Sequence, residues 1–451
     1  MIKNKKILIL VGILVAMAMI ALVLIKGFLK EKPTQRAKEI KFVVGEKQFL
    51  VDGKAKFMEA PAIIINEQVY VPAKYLAEAM GTVWNSKQGR VSLLFPDWGR
   101  AVELFVGKPA MRVCGEEIEI PVAPLVREGK TYLPAKFVAE AFRYKVDWEP
   151  DTQTMTISSR QSYRLTETLR ISNIEKLWMP IPREWDGAGM SNVKLIEISP
   201  KPDDLYEDAN GNKIAFWETK KRGLGEYKIV FEADFSPIWY NIDPSKVGNY
   251  DPASPEYQKY TKPSRWIESD NEKIIKLAHE IVGNERNPLI QAKLLHNWVA
   301  KNIKVGESGQ TALETLEKGS GDCGGHSFLF VALCRALGIP ARPVSGLQPD
   351  YYQGRFVNRI DQKEGLGFHV WSEFYLPNFG WVQCDTATGE GHNIIGIEEP
   401  RIIFSRGDEI TLGHGVPVDN FAWFHIPRAI PNPHPQYQTN GEELSLSVEM
   451  K

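Results

Sequence analysis

Four cysteines in 451 residues are too few for a disulfide scaffold, although they leave room for one bridge. Histidine is scarce too, eight in all and none before His279, so the N-terminal half offers no imidazole to a metal. A net charge of −1 gives no basic excess and no reason to expect nucleic acid. No loop is dense enough in Asp and Asn to cage calcium, and nothing in the chain calls for a cofactor or a resident metal. What is present, 43% hydrophobic and 25% charged residues, is ordinary for globular protein, at a length that suggests two to four domains.

One stretch departs from that composition. Ile7 to Ile25 runs nineteen residues without a charge, preceded by Lys3, Lys5 and Lys6. That is long enough to cross a bilayer once as a helix. Cleavage after Ala16 or Ala18 would leave the apolar MIALVLI exposed, so an uncleaved anchor is expected. With a short N-terminal tail inside, everything after Lys26 is expected outside.

Three residue types that carry chemistry stand in order between Gly319 and Thr388: Cys323, His369 and Asp385. Glycine and aspartate precede Cys323, and apolar residues follow at helical spacing through Leu337, before Gly338 and Pro340 end the helix. Cys323 is therefore expected in the first turn, where free backbone N–H groups and the positive end of the dipole favour an anionic sulfur. Downstream, Phe368 to Tyr375 alternates, Leu376 to Gly380 carries turn residues, and Trp381 to Asp385 resumes the alternation, which predicts a hairpin. A turn centred near Pro377 sets His369 across from Asp385, and one centred a residue later makes them diagonal neighbours. Either way a carboxylate lies within reach of an imidazole, which suits a nucleophile, its base and the group that orients the base.

Other residues nearby have plainer roles. His326, one turn from Cys323, can pair with it, but a histidine there more often caps or packs. Cys334 lies roughly 16 Å along the helix from Cys323, too far for a disulfide. Cys384 should face away from Asp385 into the core. Trp371 and Trp381 are expected to pack the hairpin, or to wall an acyl-binding groove.

These motifs resemble the transglutaminase-like fold, a branch of the papain-like thiol enzymes. GDCGGHSFLFVALCRALGIPARPVSG is similar to its nucleophile segment, FHVWSEFYLPNFGW to its histidine strand and VQCDTATG to its aspartate strand. The likeness runs from about Asp270 to Gly389. It implies Cys323 as nucleophile, His369 as base and Asp385 as orienting acid. It also implies a thioester formed on an amide carbonyl of a protein or peptide, then resolved by an amine or by water. Cross-linkers, peptidases and inactive members share the fold, so a catalytically silent peptide-binding or scaffold protein of the cell wall is the alternative.

Upstream, VYVPAKYLAEAMGTVWNSKQGRVSL from Val69 is echoed by TYLPAKFVAEAFRYKVDWEPDTQTMTI from Thr131. Each copy predicts a strand, a helix with proline at its first position (Pro72, Pro134) and a Trp-bearing strand. Each half is expected to cover the apolar face that the other cannot bury. The pair resembles the stalk domain named after the N-terminal domain of copper amine oxidases. That resemblance implies a spacer on a bacterial surface protein, touching cell-wall polymer at most. Tyr163 to Phe235 alternates with turns at short intervals and predicts an antiparallel sheet or sandwich, followed by an ordered connector, Ile242 to Ser264.

The expected class is α+β. It divides into a tail (1–6), a transmembrane anchor (7–25), a linker (26–38), the two-repeat stalk (39–159), a β-sandwich-like domain (160–240), the thiol-enzyme core (241–430) and a C-terminal tail (431–451) read as an adherent or mobile end. The expected setting is a cell membrane, single-pass with the C-terminal domains extracellular, where envelope proteins or peptides are the substrates.

Overall fold

Alternation and short turns dominate the chain, and strands accordingly dominate the structure, a computed structural model. It describes residues 39–95, 101–142, 144–185, 189–219, 225–240, 242–306, 311–347, 350–352, 355–357, 368–387, 395–397, 401–415, 427–430 and 443–450. The expected anchor, 7–25, lies outside them, and among the described residues no helix is long and apolar enough to cross a membrane. The described residues fall into two units, divided between Ser158 and Ser159.

In the first unit the repeat is visible as two copies of strand, helix, strand, strand. The first copy is Gln68–Pro72, Ala73–Met80, Val83–Lys87 and Arg90–Leu94. The second is Lys130–Pro134, Ala135–Ala141, Lys145–Glu149 and Thr154–Ser158. Pro72 and Pro134 sit at the N-cap, one residue earlier than the sequence suggested, closing the strand before each helix. A fixed φ and a missing N–H suit a strand end as well as a first helical turn. The copies meet where Leu133 pairs with Val71 in antiparallel register. They also exchange edges. Glu39–Val43 pairs with Thr154–Ser158, and Ala101–Phe105 pairs with Arg90–Leu94, so a strand preceding each copy completes the sheet of the other. Phe42 and Phe49, stacked at 5.1 Å, lie in the core this creates.

The second unit begins with two four-stranded antiparallel sheets. One has the order Met190–Ser199, Gly225–Phe235, Gln161–Ile171, Glu443–Met450; the other Asp204–Glu207, Lys213–Glu218, Lys176–Ile181, Arg428–Ile430. Leu165, Leu169 and Ile229 from the first share a buried cluster with Met179, Ala215 and Trp217 from the second. Two of the eight strands come from the far end of the chain. The stretch read as an adherent or mobile end places Leu444, 4% exposed, opposite Leu169. ELSLSVEM alternates apolar and polar residues, and that period is what docks it.

Between those strands lies the helical core. Glu272–Val282, Pro288–Asn302 and Cys323–Ala336 share a buried cluster whose members include Ile274, Leu295 and Phe330. Asn287 caps the second helix, its side chain accepting from Leu289 N (3.1 Å) with Pro288 at the first position. Cys323–Ala336 is buried on nearly every side, as its apolar composition demands. It packs on a sheet of order Gly380–Cys384, Phe368–Leu376, Ala341–Leu347, Ile402–Arg406. The last strand falls in a stretch read as irregular. It is pinned at its far end: Arg335 of the central helix grips Asp408 with two bonds of 2.7 and 3.1 Å, and Arg406 N donates to Asn212 (2.7 Å). The connector is ordered as expected, with the Tyr250 hydroxyl donating to Tyr375 O (2.8 Å).

Candidate active site

Cys323 is the first residue of its helix, and the Asp322 side chain caps it by accepting from Gly325 N at 2.9 Å. Asp322 thus satisfies one orphan donor of the first turn, while the Cys323 N–H has no acceptor within the helix itself. Glycine is needed at 325, because a Cβ there would lie 2.6 Å from Thr315 Oγ1. The thiol is half-buried rather than sealed in the core.

The helix is locked to the histidine strand through Ser327, whose hydroxyl contacts Cys323 O (2.8 Å) and Val370 O (3.1 Å). His369 stands next to Val370. The hairpin turns around Asn378, so Ser372 pairs with Cys384, and Asp385 follows directly after the last paired residue. His369 and Asp385 are therefore diagonal neighbours, and His369 Nε2 lies 2.7 Å from Asp385 Oδ2. This leaves Nδ1 as the ring nitrogen that can serve the thiol, and the Cys323 side chain is near enough to favour the protonated ring. Burial disfavours the imidazolium. The charge and hydrogen bond of Asp385 outweigh that, with Arg401 opposing and Cys323 assisting, and the His369 pKa is raised to about 9. Burial likewise works against the Asp385 carboxylate, but Arg401 and His369 hold it well below the usual range.

Asp385 is over-determined. Its Oδ1 accepts from Ala387 N (2.9 Å), and its backbone carbonyl is held by His296 Nε2 (2.9 Å). His326 Nδ1 lies 3.0 Å from Thr386 O, so this histidine clamps the aspartate segment and does not pair with the thiol. Trp371 is buried and stacks on His369 at 6.2 Å, while Trp381 lies under Arg342 at 3.9 Å; both pack the hairpin. Cys384 is buried, and burial pushes its thiol pKa well up. His414 is remote in sequence and partners, stacked on Phe216 with Asp204 at 3.0 Å; His392 and His425 lie outside the described residues.

Sequence reasoning passed over three members of this cluster. Ser327 and His296 look like ordinary helix residues, and only contacts across elements give them a role. Arg401, 2.5 Å from Asp385 Oδ2, belongs to a stretch with no periodic signal strong enough to predict the strand that delivers it.

Comparison with known proteins agrees with this architecture. Residues 275–386 match the family model of the transglutaminase-like superfamily. Residues 32–93 and 82–157 each match that of the copper amine oxidase N-terminal domain. The latter name implies copper, but no histidine precedes His279, so this unit does not offer the imidazoles such a site requires. An uncharacterized protein of Haemophilus influenzae is 30% identical over 256 residues, 50% of this chain and 67% of the relative. The uncharacterized protein YebA of Bacillus subtilis is 24% identical over 180 residues, 37% of this chain and 24% of the relative. Among solved structures, a candidate cysteine protease of Cytophaga hutchinsonii covers 64% of this chain and 91% of its own at 17% identity, with a TM-score of 0.44. The periplasmic domain of TgpA from Pseudomonas aeruginosa covers 51% and 88% at 14% identity, with a TM-score of 0.28.

Proposed function

The chain belongs to the transglutaminase-like superfamily, and from that premise we propose that it is a membrane-anchored, extracellular thiol enzyme acting on amide carbonyls of envelope proteins or peptides. Cys323 is the nucleophile, His369 its acid and base, and Asp385 the group that steers His369. The observation that carries this reading is the 2.7 Å contact that fixes His369 Nε2 on Asp385 and leaves the other nitrogen for the sulfur at the helix start.

The steps follow from that geometry. The Cys323 thiolate attacks the carbonyl carbon, and in this reading the Cys323 N–H binds the oxyanion. The protonated His369 gives its proton to the departing nitrogen, the C–N bond breaks, and a thioester remains. In the second half His369, now neutral, takes a proton from water or from an incoming amine as that group attacks the thioester. The sulfur leaves as thiolate and the imidazolium is restored. Water gives hydrolysis or deamidation; a lysine amine gives a cross-link. In this reading residues 7–25 hold the enzyme at the membrane and the two-repeat unit spaces the core from it.

The test incubates the protein with a casein-like substrate and a labelled amine, scoring amine incorporation against cleavage, with Cys323→Ala as control. Either product, lost in the control, supports an enzyme. Neither product, together with iodoacetamide labelling of Cys323 no faster than a free thiol at mildly acidic pH, favours a silent peptide-binding scaffold.

A further inference from the structure

Two cations meet one oxygen of Asp385. Arg401 Nη2 lies 2.5 Å from Asp385 Oδ2, the same atom that His369 Nε2 approaches to 2.7 Å. The Arg401 guanidinium also sits 5.0 Å over the Trp371 ring, whose other neighbour is the imidazole of His369, nearly parallel at 18°. Arg401 is 6% exposed, and its Nε and Nη1 have no hydrogen-bond partner among the described residues. An arginine buried this way for stability alone is a poor arrangement, because desolvating the guanidinium costs about as much as one carboxylate returns. Its placement has another consequence. The titratable and charged groups facing His369 are the Cys323 thiol from the helix, Asp385 from the end of the hairpin and Arg401 from the segment entering strand Ile402–Arg406. Of these, only Arg401 is a permanent cation.

We infer that Arg401 is a positioning residue: it fixes the Asp385 carboxylate at the oxygen that the imidazole also holds, and limits how tightly His369 holds its proton. This rests on the reading of His369 as acid and base given above. Both halves of that reaction need a proton that moves easily, on to the leaving nitrogen and then off the incoming nucleophile. An aspartate with no counter-cation would hold the imidazolium more firmly and slow the transfer of its proton to the leaving nitrogen. Arg401 opposes protonation of His369, the direction this role requires. The strand it precedes is pinned at Arg406 and Asp408, so the guanidinium is delivered by a rigid element.

The experiment follows the His369 titration by NMR in the full chain labelled with ¹³C-histidine, its signal assigned by loss in His369→Gln. Arg401→Gln is expected to raise the midpoint by about half a pH unit or more, and Arg401→Lys, which keeps the charge, to bring it most of the way back. An unchanged midpoint in a folded Arg401→Gln protein overturns the inference. A second measurement needs no folded Arg401→Gln. In wild-type protein labelled with ¹⁵N-arginine, the Arg401 side-chain signal should move with the His369 midpoint, and a signal that ignores it overturns the inference as well. Both readouts are independent of turnover. An inactive wild type with coupled titrations counts against the proposed enzyme, whereas an active one with uncoupled titrations counts against Arg401.

Discussion

His369 and Asp385 stand diagonally across their hairpin, and the 2.7 Å between Nε2 and Oδ2 is reached because the aspartate lies just past the last paired residue, free of the ladder. The His369 pKa is raised to about 9, so the imidazolium is fully present below the ordinary histidine value and is lost as pH rises through 9. The carboxylate is depressed, so the pair fails at the acid end only when Asp385 takes a proton. The alkaline limb of kcat/KM is expected near pH 9. Asp385→Asn should move that limb down by more than about one pH unit and lower the neutral rate by roughly a hundredfold or more. A pH–rate profile of both proteins checks this; an unmoved limb would detach the aspartate from the base.

Ser327 ties the nucleophile helix to the histidine strand through one hydroxyl. Ser327→Ala leaves Val370 O short of a partner in a fully buried place and is expected to cost about 1–2 kcal/mol. Activity should fall more than stability suggests, since this hydroxyl joins the helix that carries the sulfur to the strand that carries the imidazole. Calorimetry beside single-turnover acylation separates the two effects.

Gly346 stands opposite His369 on one side and beside Ile403 on the other. A Cβ there would overlap the Ile402 carbonyl oxygen and lie 3.1 Å from Trp371 Cη2. Backbone cannot swing aside as a side chain does, so Gly346→Ala should displace strand 402–406, and Arg401 with it, at a cost of about 3 kcal/mol or more. Gly306→Ala, where an added methyl meets nothing within 4 Å, is the neutral control. Limited proteolysis of the two variants reads the difference.

Glu167 is fully buried in the β-rich part of the second unit, neither carboxylate oxygen finds a hydrogen-bond partner among the described residues, and burial raises its pKa to about 8. The protonated form is the one the fold accepts. Stability from this site is complete below the ordinary Glu value and is lost as pH climbs toward 8, by roughly 3 kcal/mol at neutrality. Glu167→Gln should therefore unfold at higher temperature than wild type at pH 7, with the gap closing toward pH 4. Paired calorimetric scans across that range test it.

Much of this was legible in the sequence because local signals and long-range contacts agreed. Cys323 has a cap before it and an apolar period after it, and His369 and Asp385 lie on one hairpin whose turn residues set their spacing. The turn centre was open by one residue, which decided only between opposite and diagonal. Strand 402–406 was missed because all five of its residues are buried, so it shows no alternation. Strand 443–450 does alternate, but its polar flanks disguised it, and its partner lies nearly three hundred residues upstream. Arg401, Ser327 and His296 have no signature of their own; their roles exist only where separate elements meet.

The placement of Glu443–Met450 beside Gln161–Ile171 means that the transglutaminase-like core is an insert within a domain that begins before it and finishes after it. During synthesis the core's helices leave the ribosome while one edge of that earlier sheet still waits for its neighbour. Until the closing segment arrives, the waiting edge is a template for any other extended chain. Completion of that sheet is thereby tied to the arrival of this closing strand, and its loss would reopen the seam.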